Sequence, residues 1–178
     1  MAFLDYVGDE RLKGLYRYWV ERWDGTKLPG RQHVDPVALG TAVLPLLLLT
    51  EVVREGDKLR LRYRLVGSEI EARFNSQMTG KYIDELMHGQ YLSYIVGLYS
   101  DAIERRAAVY SESAYQHQTS ATFTKRLLLP LASNGKDIDM VMSGQVFYID
   151  PRRFLTPVSE AQDQFQGVQH IIDDHVAD

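Results

Sequence analysis

The sequence of 178 residues contains no cysteine. This absence excludes disulfide bonds, thiolate metal ligands, a cysteine nucleophile and any chromophore attached through cysteine. It also fits a reducing compartment, and we expect the protein to be cytoplasmic. A basic excess is lacking as well, because 20 Lys and Arg stand against 24 Asp and Glu. We therefore do not expect a protein dedicated to binding nucleic acid.

Long hydrophobic runs are also absent. The longest apolar stretch covers residues 42–49 and contains Pro45, whereas a membrane-spanning helix needs about 20 apolar residues. The first residues include early acids and no apolar core, so we expect neither a signal peptide nor a membrane partner. Hydrophobic residues make up 45% and charged residues 25% of the chain. These values are ordinary for a globular protein of one domain.

The sequence lacks the common catalytic and metal-binding motifs. It contains no glycine-rich phosphate-binding loop and no G-x-S-x-G nucleophile turn. His170 and His175 are five residues apart and would lie on different faces of a helix. The acids Asp137 and Asp139 stand at the start of a strand, where solvated acids are the commoner case. We therefore predict no enzymatic activity, no metal and no resident cofactor, leaving an unidentified small molecule as the one candidate ligand.

An amphipathic helix is predicted near the N-terminus, from about residue 9 to residue 23. Its apolar stripe consists of Leu12, Leu15, Tyr16, Trp19 and Trp23. A stripe of this width must pack either on the chain's own sheet or on a partner chain. We assign residues 1–30 to an N-terminal helical segment and predict a homodimer with Leu12, Tyr16, Trp19 and Trp23 in the interface.

Residues 31–149 form the predicted central domain. Two strands joined by a turn come first, over residues 46–53 and 58–65, then short helices and one long helix over residues 90–107. Three further strands follow, over residues 109–115, 121–131 and 137–148, with Asn134-Gly135 as a hairpin turn. This order predicts an α+β fold with one five-stranded antiparallel sheet and helices on one face. The other face would meet solvent, the N-terminal helix or a second subunit.

Residues 150–178 lack a sustained apolar period. They contain six acids and two bases, together with Pro151 and Pro157. We predict a mobile acidic tail with at most one loose helical turn, over residues 168–176. We also predict that deletion of residues 156–178 leaves the fold intact.

Several short motifs occur in order along the chain. They are Leu44-Pro45, the segment RYRLVGS at residues 62–68, Thr79-Gly80-Lys81, Asp84-Glu85-Leu86 and the segment RLLLPL at residues 126–131. Together they resemble a bacterial PAS-like family of small stand-alone proteins of mostly unassigned function. The resemblance covers roughly residues 11–148. It implies a PAS-like fold and a sensory or interaction module that signals through a ligand or a protein partner.

The resemblance also implies where a ligand would lie, between the long helix and the sheet. The candidate cavity residues are Tyr63, Phe74, Ile83, Ile95, Tyr99, Phe123, Met140 and Met142. Such a lining suits a small hydrophobic molecule. The same residue types also fill ordinary cores, so a ligand-free dimeric scaffold is the alternative. A small cone-shaped α+β enzyme is a third hypothesis, but it requires an ionisable pair in the cavity and the inward rows read as apolar.

A basic row marks one face of the second strand. It consists of Lys58, Arg60, Arg62 and Arg64. Four cations on one face repel each other unless they meet acids. We predict pairing with acids such as Glu51 or Glu112, and the alternative is a docking face for an acidic partner or for the chain's own acidic tail.

Overall fold

The computed structural model describes residues 3–56, 58–117, 120–148 and 164–171. Its strands form one antiparallel sheet in the order β2-β1-β5-β4-β3-β6. The strands are β1 (Leu47–Glu55), β2 (Lys58–Val66), β3 (Val109–His117), β4 (Ser120–Leu131), β5 (Met140–Tyr148) and β6 (Gln164–Ile171). The α-helices are α1 (Phe3–Tyr6), α2 (Glu10–Val20), α3 (Pro36–Leu39), α4 (Ser68–Phe74), α5 (Ile83–Leu86) and α6 (Gly89–Arg105). Short 3-10 helices lie at Arg31–His33 and Leu44–Leu46. In the described part of the chain, no helix has the length and apolar character needed to cross a membrane.

The first five strands confirm the predicted sheet. β1 and β2 form a hairpin, and β3, β4 and β5 form a meander whose last strand pairs with β1. The turn between β4 and β5 is stabilised by Asn134, whose side-chain oxygen accepts hydrogen bonds from the backbone N–H groups of Lys136 and Asp137. Gly135 has a φ of +76°, a conformation that glycine adopts without strain. Asn134 and Gly135 therefore form the turn between β4 and β5, as the sequence predicted.

A sixth strand corrects the prediction for the C-terminal segment. Residues 164–171 form β6, which pairs antiparallel with β3 from Val109 opposite Ile171 to Gln116 opposite Gln164. The predicted helical turn at residues 168–176 is therefore wrong where it overlaps β6, and this part of the predicted tail belongs to the sheet. The outer edge of β3 offers unpaired backbone groups, and these can bind a strand whose own side chains show little periodicity. The rest of the predicted tail lies outside the described residues.

The two faces of the sheet differ in chemistry. Along β4, Phe123, Leu127 and Leu129 alternate with Thr124 and Arg126, and successive side chains of a strand point to opposite faces. The register carries this alternation into β5, where Gly144 lies opposite Leu127 and Ser143 opposite Leu128. One face is thus apolar and the other is partly polar.

Helix α2 covers the apolar face. Its Leu12, Leu15 and Trp19 are at most 2% exposed, and the Trp19 indole Nε1–H donates a hydrogen bond of 2.9 Å to the carbonyl of Pro130 in β4. The helix approaches so closely that a Cβ on Gly144 would lie 2.6 Å from a Leu12 methyl group. Of the three neighbours that the sequence left open for this face, the N-terminal helix is the one that covers it.

The start of α2 is fixed by Asp9. Its carboxylate accepts hydrogen bonds from the backbone N–H groups of Arg11 and Leu12, and it also forms an ion pair with the Arg11 guanidinium. Burial alone would raise the pKa of Asp9, but the Arg11 hydrogen bonds and charge hold it below its ordinary value. This N-cap places the apolar stripe of α2 in register with the sheet.

Candidate functional site

A cluster of buried polar side chains lies on the face of the sheet opposite α2. Among the described residues, those that are both buried and polar are Thr50, Ser111, Ser113, Thr124, Arg126, Ser143 and Gln145. The strand registers place all of them on the same face. Helix α6 packs across this face. An ordinary core would bury apolar groups here, since a buried polar group costs stability unless it is hydrogen-bonded.

Arg126 lies at the centre of this cluster, in β4. It is 5% exposed and is the one charged residue that is fully buried within the described part of the chain. Its guanidinium donates hydrogen bonds to Ser113 Oγ at 2.6 Å and to the Tyr91 hydroxyl at 2.5 Å. Tyr91 belongs to α6, so the arginine connects the helix to the sheet.

Two buried tyrosines complete the polar surface. The Tyr99 hydroxyl from α6 lies 2.9 Å from Thr50 Oγ1. Burial raises the pKa of Tyr99, although hydrogen bonds to Thr50 and Ser143 partly oppose this effect. Burial also raises the pKa of Tyr63 well above its ordinary value, and the nearby Tyr99 adds to that rise. Both phenols are therefore neutral at physiological pH and can take part in hydrogen bonds as donors or acceptors.

Part of this polar surface lines a small cavity between α6 and the sheet. Its lining residues are Tyr63, Met87, Tyr91, Ile95, Leu98, Tyr99, Arg126, Leu128, Ser143, Gly144 and Gln145. The space open to the centre of a water molecule is about 20 Å³, which is enough for one water. No Asp, Glu or His of the described residues lines the cavity. The described residues also contain no group of three or more His, Asp or Glu that could hold a metal ion.

The structure brings together some of the predicted cavity residues and separates the rest. Tyr63, Ile95 and Tyr99 line the cavity. Ile83 is buried in α5 without lining it, and Phe74 is 41% exposed with its ring against Phe147.

Phe123, Met140 and Met142 lie on the opposite face of the sheet, under α2. Their placement follows from the strand register, in which Met142 pairs with Leu129 and Phe123 pairs with Tyr148. The prediction put the apolar rows toward α6, but the polar rows face α6 and the apolar rows face α2. When helices cover both faces of a sheet, the sequence alone does not indicate which set of alternating side chains packs against which helix.

Two of the four predicted dimer residues are buried within the single chain, and the other two are half-buried. Leu12 and Trp19 are covered by the chain's own sheet, so they do not offer a surface to a partner. Tyr16 and Trp23 are half-buried beside them, with their rings packed against Trp19. The homodimer itself stays a prediction.

Acids pair with part of the basic row on β2. Arg62 lies 2.6 Å from Glu51 on β1, which confirms that predicted pair. Arg60 instead meets Asp84 at 2.9 Å and lies over the Tyr82 ring. The predicted pairing with Glu112 is wrong, because Glu112 lies on β3 beside Lys125, on the far side of the sheet from β2.

Sequence reasoning missed Arg126 as a site residue. The signal was present as Arg126 directly before the apolar residues 127–131 of β4. Short polar alternations matched it, at Ser111 and Ser113 and at Ser143 and Gln145. Polar alternation normally indicates a solvated sheet face. Here the long α6 covers that face, and only the tertiary structure shows it.

A family model described as "PAS domain" matches residues 9–144, which is most of the chain. The chain therefore belongs to the PAS domain family. The match includes β1–β4, all of α2–α6 and the first half of β5. Most of the sheet therefore lies within it, as do all the cavity-lining residues except Gln145. No curated protein and no solved structure matches the chain.

Proposed function

We propose that this PAS domain is a non-catalytic sensory or regulatory module that binds a small polar molecule in the cavity beneath α6. Family membership supports a sensory or regulatory module in general. The observation that carries the finer proposal is the group of seven buried polar residues on the sheet face that α6 covers, three of which line one cavity: Arg126, Ser143 and Gln145. The sequence alone favoured a hydrophobic ligand, but a lining with one guanidinium, three phenols, Ser143 and Gln145 favours a polar one.

The size of the cavity bears on how a ligand would enter. Because the space suits about one water, a larger ligand requires side chains at its margin to move. Met87 and Tyr91 are half-buried, so they are the lining residues best placed to do so. Met87 follows α5 and Tyr91 stands in the first turn of α6. Such a movement would couple ligand binding to the position of α6, as sensing requires.

Native mass spectrometry together with a thermal-shift screen of small polar metabolites tests this proposal. We expect either a ligand that co-purifies or a compound that raises the midpoint in proportion to the logarithm of its concentration. Ser143→Val adds volume beside the cavity, and we expect it to abolish the effect. Ser93→Val is the matched control, because Ser93 is exposed on α6. A screen with no stabiliser, together with a mass equal to that of the polypeptide alone, would contradict the proposal.

The small volume of the cavity favours a second candidate, a ligand-free interaction module that acts as a homodimer. In this case the polar cluster fixes α6 against the sheet, and a partner surface carries the function. The same mass spectra separate the two candidates. A dimer without added mass supports the interaction module, whereas a bound small molecule supports the sensor.

A further inference from the structure

Arg126 is buried without a counter-charge among the residues that the structure describes. Its polar contacts are the hydroxyls of Ser113 and Tyr91, at 2.6 and 2.5 Å, and neither hydroxyl neutralises a cation. No carboxylate of the described chain forms an ion pair with it, although Arg60, Arg62 and Arg105 all have one. Removing a charge from water without pairing it is costly. A buried cation of this kind is therefore a strong binding point for an anion.

The guanidinium still has donors to offer. It carries five N–H groups in a planar fork, and two of them are used by the two hydroxyls. The other three N–H donors of Arg126 belong to a side chain that lines the cavity. A planar guanidinium matches the two oxygens of a carboxylate, and these charge-assisted bonds are the strong ones.

The surroundings of Arg126 suit an anion as well. Among the residues that the structure describes, the lining contains no acid that would repel one. The neutral phenols of Tyr63 and Tyr99 and the hydroxyl of Ser143 supply further hydrogen-bonding groups within the same cavity. The narrow space admits a flat group of three heavy atoms more readily than a tetrahedral phosphate. The site therefore favours one carboxylate group.

We propose that the cavity beneath α6 binds a small carboxylate through the guanidinium of Arg126. This inference rests on the proposed function, because it names the chemical class of the ligand for the same cavity. The carboxylate takes the position of the single water that the cavity can hold, and the Ser113 and Tyr91 hydroxyls hold the guanidinium in place. The rest of the ligand extends toward Met87 and Tyr91.

The test compares carboxylates with neutral molecules of the same shape. Formate and acetate are titrated into the full-length protein by NMR, with formamide and acetamide as the neutral counterparts and with sodium chloride to keep the ionic strength constant. Ligands of three or four heavy atoms bind weakly, so we expect dissociation constants in roughly the millimolar range. We expect the carboxylates to bind and the amides to bind at least about tenfold more weakly.

Substitutions then locate the bound carboxylate. Arg126→Met should weaken acetate binding at least about tenfold, and Arg126→Lys should weaken it less, because the charge stays while the planar fork is lost. Arg64→Met is the control, since it removes one cation from an exposed position on β2. If Arg126→Met does not fold, the comparison of acetate with acetamide in the unmodified protein and the Arg126→Lys titration still decide the question.

Three results would overturn the carboxylate proposal. Equal binding of acetate and acetamide would show that the cavity does not select for charge, and the broader polar-ligand proposal would survive. Acetate binding that is unchanged in Arg126→Met would place the anion elsewhere. No binding of either carboxylate up to about 100 mM would reject the anion site, and the metabolite screen would then decide the proposed function independently.

Discussion

Trp19 has one role in the fold of the single chain and a different role in the predicted dimer. The sequence placed this side chain in a dimer interface, whereas the structure places it between α2 and β4 within one chain, 2% exposed. A tryptophan buries on the order of 250 Å². At about 25 cal/mol per Å², that area gives an upper bound of roughly 6 kcal/mol. Trp19 also donates a hydrogen bond to the Pro130 carbonyl, which would lose its partner on truncation.

We expect Trp19→Ala to lower the free energy of unfolding by about 3–5 kcal/mol, the range found for large aromatic residues removed from cores. With a urea dependence of about 2 kcal/mol per M, this corresponds to a midpoint lower by roughly 1.5–2.5 M. Trp19→Phe keeps most of the volume and should cost less, about 1–3 kcal/mol, mainly because the Pro130 carbonyl is left unpaired. Trp23→Ala is the comparison on the same segment, and its half-buried position predicts a smaller loss than Trp19→Ala.

Urea unfolding followed by circular dichroism measures these differences, and sedimentation of the same samples measures the oligomeric state. The expected result is a large shift in the Trp19→Ala midpoint that does not depend on protein concentration. The reasoning would be refuted if Trp19→Ala unfolded at the same urea concentration as the unmodified protein while it dissociated a dimer. That outcome would return Trp19 to an interface between subunits.

Two further predictions concern the packing of the sheet. Gly144→Ala should destabilise the protein by about 1–3 kcal/mol, because the new Cβ would meet Leu12 and Leu15 at 2.6 and 2.9 Å. Gly97→Ala in α6 is the matched control. It should stabilise the protein by about 0.5–1 kcal/mol, since nothing lies within 4 Å of its Cβ position. Deletion of residues 156–178 should lower the thermal midpoint and promote self-association through the uncovered edge of β3. Deletion of residues 172–178 is the control, because it leaves β6 in place. Equal midpoints for the full-length protein and both deletion variants would show that β6 adds no stability.

The order of elements was readable from the sequence because each one carries its own local signal. The alternation in β2, the Asn134-Gly135 turn and the apolar period of α2 each depend on residues that are close along the chain. These signals led to the five strands of the hairpin and meander, whereas the PAS-like class came from the resemblance of the short motifs to that family. The sixth strand carried no such signal, since β6 belongs to the sheet through backbone pairing with β3.

The candidate site was harder to predict because it depends on which face each helix covers. Tyr63, Ile95 and Tyr99 were found from the expected geometry of the fold. Phe123 and Met142 were assigned to the wrong face, since an apolar row is normally taken to face the helices that follow it. Here the widest apolar stripe belongs to α2, so the apolar rows of the sheet meet the helix that comes first in the chain.

This division of the two faces gives the domain a separation of roles. The contact between α2 and the sheet is made of large apolar groups and one glycine, and it supplies stability. The contact between α6 and the sheet contains the buried polar groups. Within it lies Arg126, a cation that has no counter-charge among the described residues. An anion bound as proposed would supply the missing counter-charge on this face. A ligand that neutralises Arg126 would strengthen the attachment of α6 while leaving the α2 face unchanged, and a change confined to one helix is a simple signal for a partner to recognise.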